Sequence, residues 1–299
     1  MLSGNTLLLD AYYTIGRLHL FCQDYALYGL EPVPHLILAD GCSAAPDSDL
    51  GARLLALNAR RLLPRFARPA NELERLARHW PLGQRIVRRA ARQARDLGLD
   101  LAVLDATLLI AWCDKATVHI HLYGDGCLAV RRADGGVATI EVEYAENAPY
   151  YLSYLLEPER CAFYQEAVGK PATAQRVHSQ SDAGENIRRE RFDAPAVFNF
   201  DLAAFPVVAV ATDGLHSFVA VETGARLDLQ AVAREMLDFP NLDGAFVQHR
   251  LREMLVEYAR RGVFNVDDIG LGAFVRLTDG SEADAPSENG GMSAPETFP

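Results

Sequence analysis

The order of predicted strands and helices constrains the fold of this chain more than any single motif does. Short apolar or alternating segments predict strands, and helical periodicity occurs in separate blocks between them. The predicted strands are residues 34–40, 106–113, 117–132, 137–146, 207–214 and 271–277, and the predicted helices are residues 49–63, 71–98, 229–237 and 245–261. Because strands and helices do not alternate, the pattern disfavours a doubly wound parallel sheet. We expect an antiparallel α+β architecture in which helices cover two sheets.

Three local details of this pattern carry further predictions. Residues 117–132 alternate, turn at Gly124-Asp125-Gly126 and resume, which is typical of a β-hairpin. The second helical block contains Pro81-Leu82-Gly83, where we expect the helix to break. His119 and His121 lie on one face of a predicted strand. We interpret that face as solvated, and a metal-binding pair is the alternative.

Length and composition predict one folded domain. The chain has 299 residues, of which 49% are hydrophobic, and this is enough for one sizeable core. Residues 279–299 contain five acidic groups, no basic group and almost no large apolar residue. We therefore expect a disordered acidic tail after a folded domain of residues 1–278.

Cysteine use and the lack of long apolar runs indicate a reducing, aqueous compartment. The five cysteines include no Cys-x-x-Cys pair, which argues against a disulfide framework or a zinc site. We find neither a signal peptide nor an apolar run of about 18 residues that would span a membrane. We expect a cytoplasmic monomer without membrane contact.

The distribution of charge limits the class of partner. A net charge of -11 argues against nucleic-acid binding. Residues 49–96 are an exception, with twelve arginines and no lysine against four acidic residues. Within them Arg85, Arg88, Arg92 and Arg95 follow helical spacing. We interpret this stripe as a solvated helix face, and docking of an acidic or phosphorylated partner is the alternative.

Four apolar segments that we interpret as strands terminate in aspartate, and a fifth aspartate lies in the predicted hairpin. These aspartates occur in Gln23-Asp24, Asp40-Gly41, Gly124-Asp125-Gly126, Asp213-Gly214 and Asp267-Asp268. Each alone is explained by turn chemistry, since Asp and Gly are favoured where strands end. A carboxylate next to a buried strand is poorly solvated unless it is paired or binds a metal. Carboxylates with carbonyl oxygen and water are the ligand set of Mg²⁺ and Mn²⁺, so together these segments predict a metal site.

The segments around these aspartates also form an ordered set. They are "CQDYALYG", "LILADGCSAAPDSDLGARLL", "LYGDGCLAVRR", "VVAVATDGLHSF" and "DDIGLGAFVRL", in that order. The set resembles the motifs of the metal-dependent serine/threonine protein phosphatases of type 2C, the PPM family, over almost the whole folded chain. The resemblance implies a central β-sandwich of two antiparallel sheets flanked by helices on both faces. It also implies a two-metal site at one end of the sandwich.

The resemblance assigns metal-binding roles to particular residues. Asp40 would bridge two Mn²⁺ or Mg²⁺ ions, and the Gly41 carbonyl would bind one of them. Asp213 and Asp267 would complete the shell of one ion, and Asp125 would help to hold a weaker third ion. In such a centre a bridging hydroxide attacks phosphorus, so no protein nucleophile is required.

Further positions lie beside that expected centre. Gln23 and Asp24 would act mostly through metal-bound water. The family often has an arginine that contacts substrate phosphate where this chain has His19, with Arg17 close by. His19 would donate to phosphate when protonated, more weakly than a bidentate guanidinium.

The chain departs from the family pattern at accessory positions. Cys42 follows Asp40-Gly41 where the family often has His or Met, so acid assistance to the leaving group would come from metal-bound water. Ser43 and Ala44 replace glycines, and Ser217 replaces an aspartate that would support a third metal. Asp268 and Gly270 replace Asn and Thr in the last motif.

The resulting functional hypothesis is hydrolysis of phosphoserine or phosphothreonine on proteins, in a serine/threonine kinase pathway. Two alternatives stay open. The chain is a catalytically weak or inactive module of the same fold that binds a phosphoprotein or another partner, or it hydrolyses a small phosphorylated molecule. Substrate choice is expected in residues 147–195, which lack clean periodicity and correspond to a variable flap in the family.

Overall fold

Alternating and apolar segments form fourteen strands within residues 6–67 and 71–277, the part of the chain that this computed structural model describes. The strands are β1 (Thr6–Thr14), β2 (Asp24–Gly29), β3 (His35–Asp40), β4 (Leu108–Asp114), β5 (Thr117–Tyr123), β6 (Gly126–Arg131), β7 (Val137–Tyr144), β8 (Gln175–Ser181), β9 (Gly184–Glu190), β10 (Ala196–Asp201), β11 (Val207–Ala211), β12 (Phe218–Ala220), β13 (Val263–Asn265) and β14 (Ile269–Leu277). The helices are α1 (Ser48–Leu62), α2 (Glu72–Asp96), α3 (Pro158–Ala167), α4 (Leu229–Met236) and α5 (Phe246–Arg260).

The strands form two large antiparallel sheets. One has seven strands in the order β1-β14-β11-β6-β7-β8-β9, and the other has five in the order β10-β5-β4-β3-β2. Apolar side chains of both sheets, including Leu38, Val210 and Phe274, form a buried cluster. The strands β12 and β13 form a small separate pair. The expected α+β sandwich is confirmed, and β1 and β2 are edge strands of the two sheets.

Helices cover both outer faces. The helices α1 and α2 bury apolar stripes that include Leu55 and Ile86 against the five-stranded sheet. The helices α4 and α5 bury Met236, Leu251 and their neighbours against the seven-stranded sheet. None of the helices in the described ranges is long and apolar enough to cross a membrane.

The helix α2 differs from the prediction that it would break near Pro81. It is continuous from Glu72 to Asp96, with Pro81 inside it. Its buried stripe continues on both sides of the proline, and Gly83 lies against Tyr123 and Leu152 so closely that an added Cβ would come 2.5 Å from Leu152. Packing of this face outweighs the loss of one helical hydrogen bond. The arginine stripe is exposed, as expected.

The predicted hairpin of residues 117–132 is wrong. The strands β5 and β6 belong to different sheets, and Gly124-Asp125-Gly126 carries the chain from one sheet to the other. Gly124 and Gly126 have φ values of 87° and 149°, which favour glycine. Alternation identifies strands but does not specify which strands pair, so a crossing between sheets and a hairpin look alike in sequence.

The structure corrects three further predictions. His119 and His121 are not solvated: they are 5% and 1% exposed. Asp24 begins its strand rather than ending it, and Asp267 precedes β14. The irregular segment 147–195 contains α3, β8 and β9, and the strands β1, β10, β12 and β13 were not predicted. The predicted tail at 279–299 lies outside the described residues.

Candidate metal centre

Two aspartates meet at one end of the five-stranded sheet. Asp40 is the last residue of β3 and Asp24 is the first residue of β2, and the two are direct partners in the antiparallel register. Gly41 follows at the point where α1 approaches, since an added Cβ would lie 2.7 Å from the carbonyl carbon of Ser48. Gln23 is held there by a hydrogen bond of 2.5 Å from its Nε2 to Ser48 Oγ.

Three more aspartates come from the seven-stranded sheet and from the crossing between sheets. Asp213 follows β11 and Asp267 precedes β14, which is paired with β11. The two loops touch, because a Cβ on Gly214 would lie 1.6 Å from the carbonyl oxygen of Asp268. Asp125 lies between β5 and β6. The five carboxylates thus converge from segments that are far apart in sequence.

The carboxylates of this cluster influence one another's pKa values. Burial raises the pKa of Asp40 well above its usual value, and the charges of Asp24 and Asp213 raise it further, followed by those of Asp125 and Asp267. Burial first and Asp267 second raise the pKa of Asp213 to about 6. The pKa of Asp125 is raised by burial, with a contribution from Asp213. The cluster is therefore a site where negative charge needs compensation.

Protein cations provide little of that compensation. Among the described residues, the ion pairs include none from lysine or arginine to Asp24, Asp40, Asp125 or Asp213. Arg226 lowers the pKa of Asp213 only as a lesser influence. Carboxylates that are crowded and unpaired in this way fit the charge and oxygen preference of Mg²⁺ or Mn²⁺.

Asp24 gives a more direct test of this fit. It is 2% exposed, Thr212 Oγ1 donates to its Oδ2 at 2.8 Å, and its Oδ1 is buried without a hydrogen-bond partner. A buried carboxylate oxygen without a donor is costly unless a cation or water meets it. Burial raises the pKa of this group, and the Thr212 hydrogen bond opposes the rise.

The side chains do not form a complete cage by themselves. Within 6–67 and 71–277, no three His, Cys, Asp or Glu side chains are arranged as ligands of one metal ion. Mg²⁺ and Mn²⁺ are commonly held by few carboxylates, with water and carbonyl oxygen completing the shell. The donor chemistry of the cluster fits such ions, with water and the Gly41 carbonyl as further donors.

The two residues expected near substrate phosphate lie differently. His19 is beside the cluster, with Nε2 at 3.3 Å from Asp267 Oδ1 and Nδ1 at 3.1 Å from Asp268 Oδ1. The Arg17 guanidinium lies 3.8 Å from the centre of the Phe264 ring. The structure thus brings His19, but not the Arg17 head group, into contact with the aspartates.

Asp268 has a supporting role that the sequence did not reveal. Its carboxylate is 2% exposed and accepts hydrogen bonds from the backbone N–H groups of Gly16 at 2.7 Å and Gln23 at 2.6 Å. These contacts order the loop between β1 and β2 against the site. The partners are more than 240 positions apart in sequence, and no local pattern indicates such a contact.

The departures from the family pattern also have structural partners. The Cys42 N–H donates to the Asp105 carbonyl at 2.8 Å, and the Asp105 carboxylate accepts two hydrogen bonds from Arg160 of α3, at 2.9 and 2.7 Å. Ser217 is buried, and its Oγ accepts from the Asp267 N–H at 3.3 Å. Hydrogen bonds with backbone groups therefore hold Cys42 and Ser217 in place next to the site.

A family model described as protein phosphatase 2C matches residues 17–256, which include all of these aspartates except Asp267 and Asp268. The chain belongs to the protein phosphatase 2C family. No curated protein sequence matches the chain significantly.

Solved structures of bacterial phosphatases share the fold. The catalytic domain of the serine threonine protein phosphatase PstP, in complex with two manganese ions, has a TM-score of 0.55 at 17% identity, covering 92% of this chain and 100% of that chain. PppA from Pseudomonas aeruginosa has a TM-score of 0.52 at 15% identity, covering 91% and 98%. Stp1 from Staphylococcus aureus has a TM-score of 0.53 at 13% identity, covering 92% and 97%. At these identities the likeness supports the protein phosphatase 2C fold.

Proposed function

We propose that this protein hydrolyses phosphoserine or phosphothreonine on proteins with the help of divalent Mn²⁺ or Mg²⁺. The observation that carries the proposal is the convergence of Asp24, Asp40, Asp125, Asp213 and Asp267 at one end of the sandwich in a member of the protein phosphatase 2C family. Raised carboxylate pKa values and the scarcity of paired arginine or lysine support a cation site there.

The aspartates divide the metal-binding work in this proposal. Asp40 would bind both ions, and the Gly41 carbonyl would bind one of them. Asp213 and Asp267 would complete the shell of one ion. Asp125 would help a weaker third ion. When bound, such ions neutralise charge on the phosphoryl oxygens and lower the pKa of water to supply a nucleophile at neutral pH.

The remaining groups orient the ligands and the substrate. Thr212 fixes Asp24 through its hydroxyl, and Asp268 holds the loop that carries Gln23 in place. His19, whose two ring nitrogens face Asp267 and Asp268, would have to release one of these carboxylates to donate to a substrate phosphate oxygen. Arg17 would have to leave the Phe264 ring to contribute.

Phosphorylated protein is the proposed substrate class. PstP is described as a serine threonine protein phosphatase, and PppA as a key regulatory component of a type VI secretion system. We further propose that this chain acts downstream of a serine/threonine kinase, in the cytoplasm and as a monomer. The free state of Cys22, Cys42, Cys113, Cys127 and Cys161 supports a reducing compartment.

A second function is a binding module of the same fold with weak or no activity. It is favoured by two observations: the described side chains form no ready-made metal cage, and Cys42 and Ser217 replace accessory residues. Such a module would bind phosphoprotein without turnover.

Metal-dependent turnover and metal binding separate the two functions. The purified protein is assayed with p-nitrophenyl phosphate, phosphopeptides and small phosphorylated metabolites, with Mn²⁺ or Mg²⁺ and with chelator, and Mn²⁺ binding is measured by calorimetry. We expect Asp40→Asn to lose more than the ~100-fold that typical outer-shell changes cost, and to weaken Mn²⁺ binding. Asp243→Asn changes an exposed aspartate and serves as the matched control.

The outcomes are distinct for each reading. Turnover of phosphopeptide that requires Mn²⁺ or Mg²⁺ and Asp40 supports the phosphatase. Phosphopeptide binding without turnover supports the binding module, and faster turnover of metabolites than of phosphopeptides would assign a small-molecule substrate. Equal activity of Asp40→Asn and the unchanged protein contradicts the proposed centre.

A further inference from the structure

A large groove lies at the open edge of the sandwich, away from the aspartates. Its volume is about 1100 Å³, and its walls come from the edge strands β1 and β2 and from α1. Apolar side chains form much of the lining, and several are unusually exposed: Leu30 is 64%, Tyr28 is 48% and Leu57 is 40% exposed. Exposed apolar surface of this kind indicates an interaction site.

The groove also has a charged rim. Arg60 and Arg61 line it, are exposed, and form no ion pair with any residue in the described ranges. Among the described residues neither arginine is paired with a carboxylate, and Glu31 is the acidic residue that lines the groove. An occupant of this groove should therefore combine acidic groups with a few apolar side chains.

A buried histidine adds an unsatisfied polar atom to the groove. His35 lines it and is 1% exposed, and its Nδ1 lies 2.8 Å from the Val33 carbonyl oxygen. This contact makes Nδ1 the donor, which leaves Nε2 as an acceptor, and Nε2 has no hydrogen-bond partner. A backbone or side-chain N–H of an occupant would satisfy it.

The chain itself brings a matching segment to this place. The strand β14 ends at Leu277, which is paired with Thr6, and Arg276 is paired with the groove residue Leu7. The described chain therefore ends beside the groove, and residues 278–299 follow it in the sequence. They contain five acidic residues and no basic one, together with Met292 and Phe298. Fifteen extended residues reach up to about 50 Å, so Met292 is well within range.

We propose that the acidic segment 278–299 docks in this groove, with its carboxylates on Arg60 and Arg61 and its apolar side chains against Tyr28, Leu30 and Leu57. The docked segment covers the open edge of the sandwich. It leaves the aspartates free, because His35 begins β3 at the groove and Asp40 ends it, about 17 Å away at ~3.3 Å per residue. The proposal is independent of catalytic activity.

Photo-crosslinking in the full-length chain tests the docking. Phe298 is replaced by p-benzoylphenylalanine, the protein is irradiated at low concentration, and the linked peptides are identified by mass spectrometry. We expect links within one chain to residues 7–9, 28–30 or 54–61. Arg60→Glu combined with Arg61→Glu should reduce their yield about fivefold, the effect of losing two exposed ion pairs.

Matched variants distinguish docking in the groove from non-specific electrostatic attraction between the acidic segment and exposed arginines. Arg88→Glu with Arg92→Glu reverses two exposed arginines of α2 that do not line the groove, and the links should persist. Adding Glu282→Arg and Asp284→Arg to the Arg60→Glu/Arg61→Glu chain should restore them. Links scattered over the surface, links mainly between two chains, or an equal loss in both arginine pairs would overturn the proposal.

Discussion

Acid should destabilise this protein through a pair of buried histidines. His79 of α2 and His121 of β5 are both 1% exposed, and their Nδ1 atoms are 3.2 Å apart. Only one of two facing nitrogens needs a proton, so the contact is satisfied by two neutral rings. Burial lowers the pKa of His121 to about 3, and it lowers the pKa of His79 well below the usual value.

The sign and size of the effect follow from proton linkage. In the unfolded chain a histidine titrates near pH ~6.5, so below that value the unfolded state binds more protons and stability falls as the pH falls. For His121 the loss between about pH 7.5 and about pH 5.5 is about 1.4 kcal/mol. His79 contributes a loss of the same sign. The raised pKa values of Asp24, Asp40 and Asp125 act in the opposite direction. The pH dependence of the free energy of unfolding is therefore the sum of two opposing contributions.

A variant isolates the histidine contribution from the aspartates. His121→Gln is neutral at every pH and keeps a hydrogen-bonding partner for His79. Urea unfolding followed by far-UV circular dichroism gives the free energy of unfolding of both proteins without added metal. The stability advantage of the unchanged protein over the variant should shrink by about 1.4 kcal/mol from about pH 7.5 to about pH 5.5. The exposed His249→Gln serves as control, and parallel pH profiles for the unchanged protein and His121→Gln would refute the reasoning.

Two further substitutions test the contacts that hold the metal centre together. Gly214→Ala would place a Cβ 1.6 Å from the Asp268 carbonyl oxygen. We expect a loss of about 1–3 kcal/mol in urea unfolding and weaker manganese binding. Gly136→Ala is the control: its Cβ would meet only side-chain atoms, the nearest 3.1 Å away on Asp134, so it should cost less stability and leave manganese binding unchanged. Asp268→Ala removes the acceptor for the N–H groups of Gly16 and Gln23. A loss of about 3 kcal/mol and faster amide exchange in residues 16–23 are expected, and unchanged exchange there would contradict the role given to Asp268.

Much of the secondary structure can be predicted from local sequence patterns. The apolar runs that become β3 and β11, and the periodic blocks that become α1, α4 and α5, are strong signals because each element buries one face or both faces. The helix α2 shows where local rules fail, since packing overrides the proline at position 81. The edge strand β1 is only partly buried along its length, which weakens its apolar signal.

Strand pairing is the part that local pattern cannot supply. The segment around Gly124-Asp125-Gly126 reads as a hairpin, yet it connects two sheets. The same alternation fits both arrangements, and only the competition among all strands for partners decides between them. The histidines of β5 show the same limit for burial. Alternation predicts that their face of the strand is solvated, but α2 covers it.

For the candidate site, the sequence alone determined which residue types could bind metal, because carboxylates beside glycines at strand boundaries are visible without coordinates. The tertiary structure decided that Asp24, Asp40, Asp125, Asp213 and Asp267 share one end of the sandwich. It also decided that Asp268 fixes a distant loop and that β14, which precedes the acidic segment, ends beside an arginine-rimmed groove. These contacts join positions that are from 16 to more than 240 residues apart, and most of them form only when the two sheets pack.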